Sequence, residues 1–362
     1  MEKKTSKSLK VLLIGQNFAS VINSLAIGFD QIEGVNARAI SLDGLISEYN
    51  SYSNYFYKTK HSSKSKIPYA LSKIIGIIVL IYLLCWCDVV HVFFLTSDTR
   101  FKNFERRLVN FFCKRHVVTF MGSEVRDPAI SSKENLYYQE TFCHPNYEYK
   151  NESSALSQSF QKLYSKDNYK LIVWDIEQYI DKALFKDIRI VPHASSNMLA
   201  SEISLKDESF LVVHSPSAPI AKGTAIIQAG MNKIIAKYPY VKFKILKGIS
   251  IMEYQRYLAK SDILIDQMIW GGYGIAAQQA MEMGKVVCTY INDSRKILYG
   301  SNCPVININK ETLYSEIEKL ILDNEYMDKV KKASMDYYQN THSPINVAKQ
   351  MKDAYLSFFY GN

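Results

Sequence analysis

Short apolar runs of strand length alternate along this chain with segments whose apolar residues recur three and four positions apart. The runs KVLLIG (10–15), ARAISL (37–42), DVVHVFFL (88–95), HVVTFMG (116–122), KLIVW (170–174) and RIVPH (189–193) read as strands. A second series follows in FLVVHSP (210–216), KFKILKG (242–248), DILIDQ (262–267), VVCTYI (286–291) and PVINI (304–308). Between them, AIIQAGMNKIIAKY (225–238) and IMEYQRYLAK (251–260) carry helical spacing. A strand covered on both faces is apolar throughout rather than alternating, so the pattern predicts α/β architecture with two parallel, doubly wound sheets. The polar stretch SSNMLASEISLKDES (195–209) separates the two series and predicts the linker. No repeat or low-complexity tract is present.

One segment departs from this alternation. From Tyr49 to Cys87 there is no acidic residue, while Lys58, Lys60, Lys64, Lys66 and Lys73 all occur, and IIGIIVLIYLLCWC (74–87) is apolar throughout. A spanning helix needs about 20 such residues, so the 14-residue run reads instead as a helix. It either packs against a sheet or lies in a membrane interface with the lysine-rich approach on anionic headgroups. Both hold if one face packs while another meets lipid. The aromatic cluster YNSYSNYFYK (49–58) reads either as a disordered or packed loop or as a surface for an acceptor or a lipid headgroup zone.

At 362 residues the chain can bury two cores. The formal charge of +9 favours anionic partners: phosphorylated ligands, nucleic acid or an acidic membrane. Nucleic acid is disfavoured because the densest basic stretch, FERRLVNFFCKRH (104–116), reads as an amphipathic helix and not as a basic stripe. Six scattered cysteines without a CxxC pair read as reduced thiols in a cytoplasmic protein, with neither zinc nor disulfides. The opening MEKKTSKSLKVLLIG reads as a first strand and not as a signal peptide. No Asp-x-Asp occurs, so metal-dependent transfer through that motif is not expected.

Open parallel sheets bind ligands beyond the carboxyl ends of their strands. Three stretches fall there: Gly15 after the first strand, HSPSAPIAKGT (214–224) with Lys222, and GGYG (271–274) ahead of a helix. Backbone amides at a helix start together with a lysine suit a diphosphate. His193 and His342 read as structural, and His91 stays open between a buried strand-end hydrogen bond and a role in a cleft.

VVHSPSAPIAKGTAII (212–227), SDILIDQMIWGGYGIAAQQAMEMGKVVCTYI (261–291) and THSPINVAKQMKDAYLSFF (341–359) resemble the retaining glycosyltransferases of family 4. DVVHVFF (88–94) and FMGSEVRD (120–127) match more loosely. The resemblance implies a GT-B fold: two Rossmann-like domains facing a cleft, over residues 1–197 (acceptor side, with the basic and apolar segment 58–87) and 205–340 (donor side), closed by a helix at 341–362 that returns to the first domain. It implies a metal-independent transfer, with no cofactor, from a nucleotide-diphosphate sugar to a saccharide or lipid-linked acceptor in surface polysaccharide or glycoconjugate synthesis. The protein would be cytoplasmic and peripheral on an anionic membrane. Carried across, the catalytic residues are Lys222 and Glu124; Gly15, Gly271, Gly272, Tyr273, Gly274 and Gln279 line the donor; His91, Ser123 and Arg126 face the acceptor. The family's Glu-x7-Glu pattern falls on Gly271 and Gln279, and its loop histidine on Met121. Gln279 can bond a ribose hydroxyl only without charge assistance. These departures keep a second expectation open, a non-catalytic glycosyltransferase-like protein that binds a partner enzyme or a glycan.

Overall fold

The computed structural model describes residues 8–15, 18–41, 55–56, 69–93, 99–113, 115–196 and 209–361. They form two compact units: residues 8–125, 155–195 and 343–361 in the first, and residues 126–154, 196 and 209–342 in the second. The second unit thus takes in residues 126–154, which the sequence reading assigns to the first domain. Most of the expected linker, residues 197–208, lies outside the described residues.

The first unit holds a parallel sheet of β1 (Leu9–Gly15), β2 (Val35–Ser41), β3 (Tyr55–Phe56), β4 (Val89–Phe93), β5 (His116–Thr119), β6 (Lys170–Val173) and β7 (Ile188–Ile190). Its strand order is β3-β2-β1-β4-β5-β6-β7. All pairings are parallel, with β1 between β2 and β4. The central strands are apolar because helices cover both faces: Val11, Leu12, Leu13, Val89, Val90 and Leu171 are wholly buried. Strand β3 escapes the sequence pattern because its two residues, Tyr55 and Phe56, sit in a polar aromatic stretch.

The apolar run at 74–87 lies in the helix Tyr69–Trp86. Leu80, Leu83 and Leu84 are buried, while Ile74, Ile75, Ile78 and Tyr82 are exposed on the opposite face. Packing therefore explains only part of the run's hydrophobicity. Among the described residues, no helix is long and apolar enough to cross a membrane. The closing helix, Pro344–Tyr360, belongs to the first unit and packs on the helix Val21–Asp30.

The second unit carries β8 (Phe210–His214), β9 (Val241–Ile245), β10 (Ile263–Ile265), β11 (Val286–Thr289) and β12 (Ile306–Asn307), in the order β12-β11-β10-β8-β9. All these pairings are parallel too. Chain direction across the sheet reverses between β8 and β10, and a doubly wound sheet opens its ligand crevice at that switch point.

Candidate functional site

Two loops leave the sheet of the second unit at the switch point. After β8, Lys222 and Gly223 lead into the helix Thr224–Lys237. After β10, residues 266–274 lead into the helix Ile275–Glu282. His214 ties the two loops' bases together. Its Nδ1 lies 2.8 Å from the Ile265 carbonyl oxygen, to which it donates, leaving Nε2 to accept from Thr224 Oγ1 at 2.9 Å. Burial lowers the His214 pKa to about 4, so the ring is neutral and holds this tautomer.

Lys222 and Gly274 meet at one carboxylate. Lys222 Nζ lies 2.6 Å from Asp266 Oδ1, and the Gly274 N–H donates to Asp266 Oδ2 at 2.6 Å. Asp266 is 1% exposed and Lys222 8%. The ammonium and the amide at the helix start thus converge as an oxyanion seat does, and a carboxylate of the protein fills it. The same happens next door, where Glu148 accepts from the Ile220 and Ala221 amides at 2.9 and 3.0 Å.

The glycine turn is framed by Gln267. Its Oε1 accepts from the Ile269 and Trp270 amides at 2.6 and 2.7 Å, while its Nε2 donates to the carbonyls of Gly272 and Tyr290. Gly271 sits at φ +71°, and a Cβ there would overlap Asn135 Oδ1 and come within 2.8 Å of Asn292 Nδ2. Asn292 Nδ2 donates to Asn135 Oδ1 at 2.8 Å, so this pair fills the space where the family resemblance places a glutamate. A Cβ at Gly272 would come within 2.7 Å of the Tyr299 hydroxyl.

The remaining expected residues separate into two groups. Lys222, Gly271, Gly272 and Gly274 lie together around the switch point. Gln279 is 3% exposed and its Oε1 accepts from the Tyr254 hydroxyl at 3.0 Å. Tyr273 points away from the seat: its hydroxyl lies 2.9 Å from His342 Nε2 and 3.2 Å from the Tyr337 hydroxyl, inside the unit. Its bulk anchors the turn from behind. Tyr254, Asn135, Asn292, Glu148 and Asp266 were missed by sequence reasoning. Asp266 alone carried a signal, as a carboxylate ending an apolar strand run.

The other expected residues lie at the first unit and its border. His91 is wholly buried, with Nδ1 2.7 Å from the Tyr355 hydroxyl and Nε2 2.8 Å from Thr119 Oγ1. Nδ1 thereby pins the closing helix to the sheet and Nε2 ties β4 to its neighbour β5, and burial lowers the pKa to about 3. The strand-end reading of His91 holds, and the acceptor-facing one does not. Gly15 ends β1 against the Phe93 carbonyl, where a Cβ would overlap the oxygen. Glu124 is folded onto its own turn, with Oε1 accepting the Met121 N–H at 2.7 Å. Ser123 is half-buried in that turn. Arg126 belongs to the second unit, where it pairs with buried Glu152 and lies 4.3 Å over the Trp270 ring. The Tyr138 and Tyr147 hydroxyls donate to Glu152 at 3.1 and 3.3 Å, so this ion pair is fully bonded within the aromatic core of residues 126–154.

No family model and no curated protein matches the chain. Solved structures do. A glycosyltransferase from Rickettsia africae ESF-5 is 14% identical, covering 98% of this chain and 100% of its own, at a TM-score of 0.59. Sucrose-phosphate synthase from Thermosynechococcus elongatus is 11% identical over 98% and 100%, at 0.60. Anabaena HepE, solved with UDP and glucose, is 11% identical over 96% and 100%, at 0.60. At such identities the likeness concerns the fold, and the two parallel α/β units with their closing helix have the GT-B fold of these glycosyltransferases.

Proposed function

We propose that this chain is a glycosyltransferase that moves a sugar from a nucleotide-diphosphate donor to a saccharide or lipid-linked acceptor, with retention and without a metal. The reading is carried by the convergence of Lys222 Nζ and the Gly274 N–H on one carboxylate at the switch point. That geometry suits a diphosphate oxygen, and stabilising a leaving diphosphate is the largest electrostatic task of such a transfer. Anabaena HepE, of similar fold, was solved with UDP and glucose, which supports a nucleoside diphosphate at this seat. Lys222 supplies the positive charge, Gly272 and Gly274 bring backbone close, and Gln279 meets the ribose once its Oε1 exchanges the Tyr254 hydroxyl for a ribose hydroxyl. Lys222→Ala is expected to weaken binding of a nucleoside diphosphate by about 1.5–3 kcal/mol, the scale of a charge-assisted hydrogen bond. Calorimetry checks this, and unchanged affinity removes Lys222 from the site.

A non-catalytic reading is favoured by one observation, the Asn135–Asn292 pair in the place of a sugar-facing glutamate. Nucleotide binding without transfer from any donor would select it.

We further propose that the protein is cytoplasmic and peripheral on an anionic membrane. Support comes from the exposed stripe Ile74, Ile75, Ile78 and Tyr82 beside a segment with five lysines and no acid from Tyr49 to Cys87. Lys58, Lys60, Lys64 and Lys66 lie outside the described residues. Neutralising all four is expected to cut binding to anionic vesicles by about 1 kcal/mol per lysine. Co-sedimentation that ignores both these changes and added salt would sink this reading.

A further inference from the structure

The oxyanion seat of the second unit is already full. Asp266 places one oxygen on Lys222 and the other on the Gly274 amide, each at 2.6 Å. Its backbone is fixed by the Asp266 N–H donating to the Cys288 carbonyl at 2.9 Å, which aims the side chain at the helix start. The pair sums to no net charge, so an arriving anion meets a neutralised lysine and a saturated amide. Simple oxyanions have nothing further to offer in exchange for those two bonds.

We propose that Asp266 is a resident counter-anion that excludes simple phosphates from the Lys222–Gly274 seat and yields only to a ligand with additional contacts. The proposal rests on the reading of this seat as the place of a diphosphate. Asp266 is thus a specificity residue: it sets a threshold that a nucleoside diphosphate can pass through its base and sugar, and that pyrophosphate cannot. Donor binding exchanges the carboxylate for a phosphate oxygen on the same two hydrogen-bond donors, with no covalent step.

Asparagine in this position separates the roles. An amide group has one acceptor oxygen and one NH2, so in either orientation a donor faces Lys222 or the Gly274 N–H. The seat then prefers an added oxyanion. Pyrophosphate is the probe, because it carries two phosphates without base or sugar, and UDP is titrated in parallel by calorimetry. Asp266→Asn is expected to bind pyrophosphate about tenfold or more tighter than the unaltered protein. Adding Lys222→Met is expected to abolish that gain.

A folded Asp266→Asn protein with unchanged or weaker pyrophosphate affinity would overturn the proposal and make the pair a packing feature. A gain that survives the loss of Lys222 would overturn it as well, since the anion would then sit elsewhere. A gain for pyrophosphate while neither protein binds UDP would keep Asp266 as counter-anion and sink the nucleotide reading. If the asparagine variant does not fold, Asp266→Ser, whose shorter side chain withdraws the carboxylate from both donors, is scored by the same outcomes.

Discussion

Gly271→Glu is expected to destabilise the second unit by about 3 kcal/mol or more, and to restore no sugar contact. The residue sits at φ +71°, where any side chain costs about 1–2 kcal/mol. The new Cβ overlaps Asn135 Oδ1 and crowds Asn292 Nδ2, and overpacking of this kind adds about 1–3 kcal/mol. Parting the Asn135–Asn292 hydrogen bond strands buried amide groups, for about 1–3 kcal/mol more. Urea unfolding measures the loss, with Gly271→Ala as companion because it carries the backbone strain and the first overlap without a carboxylate. A glutamate variant as stable as the unaltered protein would refute the cradle. Restoring a family motif by sequence alignment alone therefore has the wrong sign at this position.

Acid is expected to unfold the protein well above the pH at which ordinary carboxylates titrate. His91 is held at a pKa of about 3, and His193 and His214 at about 4, in each case because burial penalises the imidazolium. An unfolded histidine titrates near about 6.5, so below that pH the unfolded chain binds protons that the folded one refuses. Stability from these groups is complete above about pH 6.5 and is lost as pH falls toward the folded values, at about 1.4 kcal/mol per pH unit for each histidine. Three together approach about 4 kcal/mol per unit, which removes about 4 kcal/mol by pH 5.5 and about 9 kcal/mol by pH 4, so a stability of about 5–9 kcal/mol is exhausted between about pH 5.3 and pH 4. Glu152 works in the other direction, since burial raises its pKa and the folded state gains when it is protonated. Fluorescence-detected unfolding at fixed urea across pH 7 to 4 tests the slope. A flat profile would mean that the three rings are wetter than their burial implies.

Both predictions rest on contacts that join distant parts of the chain, and this marks what the sequence could and could not carry. The strands of both sheets were legible because a strand covered on two faces must be apolar throughout, as Val11–Ile14 and Ile263–Ile265 are. The closing helix and the switch-point loops were legible because Lys222, the glycine turn and the segment 341–359 carry family spacing. The helix Tyr69–Trp86 was legible as apolar, but which of its faces packs was not, because a run apolar all round has no stripe to read.

By itself, then, the sequence determined the α/β class, the two sheets, the basic and apolar segment and the position of the candidate seat, since each depends on local periodicity or on neighbours a few residues apart. Tertiary structure alone decided who occupies that neighbourhood. Residues 126–154 join the second unit because Tyr138 and Tyr147 pack into its core and Glu148 reaches amides 72 and 73 residues away. Asn135 meets Asn292 across 157 positions, and Asp266 reaches Lys222 across 44. A polar side chain declares its type in the sequence but not its partner. Folding sets the partner, because burying an oxygen or an ammonium demands an opposite group within hydrogen-bond reach.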